Sequence, residues 1–196
     1  MLIRPVVVAD FPAIATLTNR YITGSAVHFA YQPVTSEAMR DAWLETRPLF
    51  PYFVAEIPEI GSNGTSGAGG GRFAGYAKAA RWRERDAYRP TAEVGIYVEA
   101  FAQGRGVGKS LYAALITACR VAGFHSLIAG IAQPNPASVA LHLAVGFDAI
   151  GVFRQVGWKL EQWHDVGFYQ MLLMDSQDQP SKLLEVSVPE RTGLKL

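Results

Sequence analysis

The chain has 196 residues, 49% apolar and 18% charged, a globular balance with length for one domain and a sizeable core. A net charge of +1 gives no electrostatic case for nucleic acid or a membrane surface, and a single cysteine, Cys119, excludes an intrachain disulfide. With no 18-residue apolar run and no basic-then-apolar leader pattern, a cytoplasmic protein is the expectation.

Leu2 to Val8 alternates and is β-rich, and Pro5 argues for the edge of a sheet. Asp10 is expected to cap a helix with Pro12 in its first turn and Phe11, Ile14, Leu17 and Tyr21 at helical spacing. A loop through His28, Phe29 and Tyr31 leads to a second helix, from Thr35 or Ser36 to about Arg47, stopped by Pro48. Tyr52–Ile57 and Phe73–Trp82 read as paired strands. The Pro/Gly/Ser tract 58–71 between them is expected to be a long hairpin loop or flexible insertion, not a domain boundary.

Arg83 to Arg89 reads as a charged loop and Ala92–Val98 as the central strand. A helix over about Gly108–Ala122 places Leu111, Leu115, Ala118 and Val121 on one face, with Cys119 as a small core residue and Gly123 at its end. Ser126–Ile131 reads as a buried strand. Asn135 then caps a short helix with Pro136 at its first position and Gly146 closing it. Strands over about Phe147–Val156 and Val166–Met174 finish a domain spanning 1–174, and 175–196 reads as a loose tail. The order β-α-α-β-β-β-α-β-α-β-β gives an α/β (α+β) class: a mixed central sheet with helices on both faces.

Between the central strand and the long helix lies Gln103-Gly104-Arg105-Gly106-Val107-Gly108-Lys109-Ser110. Glycines at alternate positions let backbone N–H groups turn toward one point, and the following helix starts with no acidic residue in its first turn. That is an anion site made of orphan N–H groups and the positive end of a helix dipole. A Walker A loop needs glycine where Gln103 stands, and a dinucleotide fingerprint needs its third glycine one residue later than Gly108.

The pattern Gln-x-x-Gly-x-Gly between strand and helix resembles the pyrophosphate loop of the GNAT acetyltransferase superfamily. Asn135-Pro136-Ala137-Ser138-Val139-Ala140-Leu141-His142, ending in Gly146-Phe147, is similar to that superfamily's second signature, with His142 where most members carry tyrosine. Histidine there, with Leu17–Ile22, Val27-His28-Phe29, Gly75–Tyr88, Glu93 and Trp163–Gln170, resembles the phosphinothricin and methionine sulfoximine N-acetyltransferases over nearly all of 2–174. The resemblance implies a GNAT fold, acetyl-CoA as acetyl donor and a homodimer; no metal is expected, since His28, His125, His142 and His164 show no ligand spacing with Cys119. It implies cofactor contacts from Ile96, Tyr97, Val98, Gln103, Gly104, Arg105, Gly106, Val107, Gly108, Lys109 and Asn135.

Transfer of acetyl to an amine needs a base for the ammonium proton. Glu93, the only carboxylate in the central apolar strand, is the candidate, and the resemblance assigns it that role. His142 stands where the superfamily's tyrosine serves the departing thiolate, and imidazole can donate the same hydrogen bond. A backbone N–H from a splayed central strand, at Val98, would hold the developing oxyanion. Phe29, Arg83, Arg85 and Tyr88 are the expected substrate contacts, the arginines for acidic groups, although Glu84 between them can neutralise one. The leading reading is an N-acetyltransferase for a small amino acid analogue such as phosphinothricin or methionine sulfoximine. A GNAT enzyme for a peptide N-terminus, polyamine or aminoglycoside, and a non-catalytic acyl-CoA sensor, are the alternatives.

Overall fold

The computed structural model describes residues 1–58 and 71–174. The interior of the tract expected over 58–71, and the tail expected over 175–196, lie outside the described residues. One sheet organises the chain. Its strands are β1 (Leu2–Pro5), β2 (Tyr52–Ile57), β3 (Arg72–Arg81), β4 (Thr91–Val98), β5 (Ser126–Ala132), β6 (Asp148–Lys159) and β7 (Gln162–Leu172). The helices are α1 (Phe11–Gly24), α2 (Ser36–Thr46), α3 (Val107–Val121) and α4 (Pro136–Ala144). The sheet runs β1-β2-β3-β4-β5-β7-β6. Among the described residues only β4 and β5 pair in parallel, through the α3 crossover. The expected class and element order hold.

Side-chain alternation divides the core between the two faces. Tyr52, Val54 and Tyr76 pack with Phe11, Ile14, Leu17 and Trp43 under α1 and α2. Ala77, Ala79, Ala92 and Val94 pack with Val107, Leu111, Tyr112, Leu115 and Cys119 of α3 on the other face. Small residues on that side of β3 and β4 let α3 lie close to the sheet. Burying its leucines contributes about 1.5–3 kcal/mol each.

Several boundaries differ from expectation. The first strand stops at Pro5, and Val8–Asp10 forms a 3-10 turn. Asp10 occupies the N-cap position of α1, yet its carboxylate makes no cap bond there. It takes two hydrogen bonds from Arg4, each 2.7 Å, and one from the Val7 N–H, because a charged partner outcompetes the neutral N–H groups of α1. Val121 is 67% exposed, not on the buried face of α3; Ile116 and Cys119 occupy that face instead. The final hairpin is longer than its sequence suggested, closing at Leu160 and Glu161 with φ of 51° and 58°. Asn135 caps α4 as expected, its Oδ1 accepting the Ser138 N–H at 3.1 Å.

Candidate active site

The parallel pairing of β4 and β5 covers only Thr91–Glu93 against Ser126–Ile128. Beyond Glu93 the strands part. β4 keeps its other neighbour, β3, as far as Val98, and β5 keeps its own, β7, as far as Ala132. The Glu99 N–H donates to Ala74 O at 2.9 Å. Antiparallel alternation therefore directs the N–H groups of Ile96 and Val98 away from β3, into the gap left by β5. The Val98 carbonyl, on the same side, accepts the Tyr21 hydroxyl at 3.0 Å and Gln103 Nε2 at 3.2 Å. The Gln103 side chain thus ties the glycine loop to the end of β4.

Gly104 and Gly106 have φ of 72° and 80°, a backbone that side-chain-bearing residues rarely adopt, and a Cβ on either would meet no atom within 4 Å. The loop therefore faces open space. Gly106 is the N-cap of α3, whose first turn carries no acidic residue, so the Val107, Gly108 and Lys109 N–H groups point out of the helix unshielded by negative charge. Gly108 serves another end: a Cβ there would lie 2.8 Å from a Leu141 methyl, so its absence lets α4 approach α3. Arg105 and Lys109 are exposed beside the loop. A diphosphate fits this donor set chemically.

Glu93 lies at the last paired position of β4 and opens into a cavity of about 420 Å³. Phe29, Trp82, Arg83, Phe153 and Phe168 are among its walls. Water reaches Glu93, yet the surrounding burial pushes its carboxyl above the ordinary carboxylate value, while the cations of Lys78 and Arg83 pull the other way. The Arg83 guanidinium lies over the Trp82 ring at 4.8 Å, which holds it at the rim. Phe29 is seated against Gly157, where any Cβ would come within 2.4 Å of the ring. The buried Lys159 ammonium donates to the Ile22 and His28 carbonyls, anchoring the Phe29 loop to the end of β6.

Phe29, Arg83 and Glu93 therefore meet in one cavity. Arg85 and Tyr88 do not line it; Arg85 precedes and Tyr88 ends an exposed 3-10 turn, Asp86–Tyr88, between β3 and β4. Glu84 neutralises neither expected arginine: it lies 3.6 Å from Arg81. His142 is 3% exposed. Its Nδ1 lies 2.7 Å from the Ser138 carbonyl and its Nε2 2.6 Å from the Tyr112 hydroxyl. A carbonyl only accepts, so Nδ1 carries the proton and Nε2 accepts from tyrosine. Burial lowers the imidazole's affinity for a second proton, against the opposing effect of the Ser138 carbonyl. In this arrangement neither nitrogen has a proton free for a thiolate. Tyr112, Lys159 and Gly157 belong to no motif. The readable signals were a lone lysine ending an apolar strand and a tyrosine at a core position of α3.

The profile of the Acetyltransferase (GNAT) family matches residues 20–147. Over 168 residues the chain is 38% identical to the phosphinothricin N-acetyltransferase of Streptomyces viridochromogenes, covering 86% of this chain and 85% of that one. Over 178 residues it is 33% identical to the L-methionine sulfoximine/L-methionine sulfone acetyltransferase of Pseudomonas aeruginosa, covering 91% and 98%. Its structure is similar to that of a GNAT superfamily phosphinothricin acetyltransferase from Sinorhizobium meliloti solved with acetyl-CoA, at a TM-score of 0.79 and 30% identity, covering 93% and 94%. With the parted strands, the glycine loop and these likenesses together, the chain belongs to the GNAT acetyltransferase family.

Proposed function

We propose that the protein moves the acetyl group of acetyl-CoA to the amino group of a small amino acid analogue of the phosphinothricin or methionine sulfoximine/sulfone type. The observation that carries this reading is the place of Glu93: a carboxylate at the point where β4 and β5 part, in one cavity with Phe29 and Arg83. The names of the relatives support the substrate class.

The donor supplies an electrophilic thioester carbonyl; the glycine loop, Lys109 and Arg105 suit its diphosphate, and Asn135 and Ile96–Val98 suit the arm that reaches into the gap. Glu93 takes a proton from the acceptor's ammonium, directly or through water, and frees the lone pair that attacks. The Val98 N–H, which faces the gap, would hold the carbonyl oxygen as it gains negative charge. His142 holds Tyr112 and α4 in place as a positioning residue, and the thiolate takes its proton from the acetylated nitrogen or from water. Arg83 suits an acidic group on the acceptor, and together with Lys78 it opposes polyamine or aminoglycoside substrates. The twelve-residue β6 is an edge strand with Ile150, Val152, Phe153, Val156 and Trp158 exposed, which supports pairing of two copies.

Glu93→Gln tests the reading. It is expected to bind acetyl-CoA as the parent does and to lose kcat by about 10²-fold or more, measured by thiol release with methionine sulfone as acceptor. Equal turnover in the variant removes Glu93 from the base role. Binding of acetyl-CoA without turnover in the parent, across a panel of amines, favours the sensor reading.

A further inference from the structure

A second cavity, of about 410 Å³, opens on the same face of the sheet as Glu93, under α2. The Phe29 loop borders both cavities: Val27 and Phe29 line the first, His28 the second. The walls of the second are largely apolar, from Met39, Trp43, Phe50 and Tyr76.

Two polar groups in it lack partners. The buried Tyr52 hydroxyl makes no hydrogen bond among the described residues. The half-buried Lys78 ammonium has no carboxylate within 4.0 Å among them. Thr18, Thr46 and His28, also around the cavity, have partners. Thr18 bonds the Ile14 carbonyl and the Tyr76 hydroxyl, and His28 Nδ1 accepts the Ala30 N–H. Tyr52 and Lys78 are direct cross-strand partners of β2 and β3, so they leave the sheet as neighbours on one face, with Asp10 acting on the Tyr52 hydroxyl from the other side. An unpaired hydroxyl and an unpaired ammonium in apolar walls are both costly to a fold. Together they offer hydrogen-bond donors and one positive charge to an anionic acceptor group.

Lys78 also stands beside the proposed base. Ala80 is opposite Glu93 and Lys78 opposite Gly95, which makes Lys78 and Glu93 diagonal neighbours on one face. That separation suits the two polar groups of an α-amino acid, with the amine at Glu93 and the carboxylate at Lys78.

Resting on the acetyltransferase reading, we propose that this cavity is a further arm of the acceptor site, in which Lys78 and the Tyr52 hydroxyl hold the α-carboxylate of an amino acid whose apolar side chain lies under α2. Lys78 and Tyr52 are then specificity-determining residues. The arm selects amino acids over the corresponding amines, and large apolar side chains over small ones.

The test uses matched acceptors, L-phenylalanine with 2-phenylethylamine and L-methionine with 3-(methylthio)propylamine. Specificity constants are measured on the full chain with acetyl-CoA. The parent is expected to favour each amino acid over its amine. Lys78→Met is expected to lower kcat/KM for the amino acids by about tenfold or more, chiefly through KM, and that for the amines by less than about threefold. Tyr52→Phe is expected to act in the same direction and more weakly, and Lys78→Arg to restore part of the preference. If Lys78→Met does not fold, Lys78→Gln keeps the stem without the charge. Equal losses for acid and amine, or a parent with no preference for the acid, overturn the proposal and leave the cavity to water. A parent that acetylates methionine sulfone while Lys78 variants lose no carboxylate preference sinks this inference alone. A parent that acetylates no amine sinks the acetyltransferase reading instead.

Discussion

The His142 imidazole is neutral because its nitrogens already have partners and water is kept away. Tyr112, Phe147 and Tyr169 surround the ring, with centroids 5.1, 5.3 and 6.1 Å distant. Burial holds its pKa below the ordinary 6.5, so the unfolded chain binds this proton more readily than the folded one. The stabilisation is complete above pH ~6.5 and is lost as pH falls from there toward the lowered folded value. His28, lowered by burial and by Lys78 and Lys159, acts with the same sign. Urea unfolding from pH 8 to 5 is expected to show stability falling on the acid side, with a shallower fall in His142→Phe. That variant also leaves the Ser138 carbonyl and the Tyr112 hydroxyl without this partner, at a cost of about 1–3 kcal/mol. The same slope in parent and variant contradicts a neutral buried His142. Glu93 was legible in the sequence because a carboxylate alone in an apolar strand has few structural reasons to be there. The setting of His142 was not legible, since its partner Tyr112 lies 30 residues away on another helix. Lys78 was equally open to view in an apolar strand, but only the β2–β3 register puts it beside Tyr52.

At the scale of elements, periodicity and caps carried most of the reading. Apolar spacing located α1 and α3, and Asn135-Pro136 marked the start of α4 to the residue. The ends of the final hairpin were less visible. β6 continues to Lys159 and turns on leucine and glutamate at positive φ, where glycine or asparagine would have announced a turn. The extension matters because Gly157 and Lys159 lie within it and seat the Phe29 loop. It also lengthens the open edge of the sheet. Ile150 and Val152 are each 55% exposed, on a strand with a free hydrogen-bonding side. Light scattering is expected to give twice the 21.3 kDa mass of the chain, and Ile150→Glu with Val152→Glu to shift it toward the single-chain mass. A single-chain mass for the parent contradicts pairing through β6.

At the scale of the molecule, the function rests on one departure from regular structure. A sheet that paired β4 with β5 along its whole length would leave the Ile96 and Val98 N–H groups bonded within the sheet and no gap between the strands. The sequence displayed a glycine loop and a lone carboxylate, and a splay of the central strand at Val98 was expected; that the strands part directly after Glu93 was not readable, because it depends on the β4–β5 register. The α/β order was legible because helices and strands differ in period; the place of the Phe29 loop between two cavities was not, because it depends on the path of the loop through His28. The most direct measurement is calorimetric titration of acetyl-CoA into the parent chain and into Gly106→Val, with helix content checked by circular dichroism. The parent is expected to bind one acetyl-CoA per chain. The variant is expected to keep its helix content and bind about tenfold more weakly or worse, since valine is strained at φ +80° and its side chain occupies the mouth of the loop. No binding by the parent, or equal binding by the two, would contradict a diphosphate site at the start of α3.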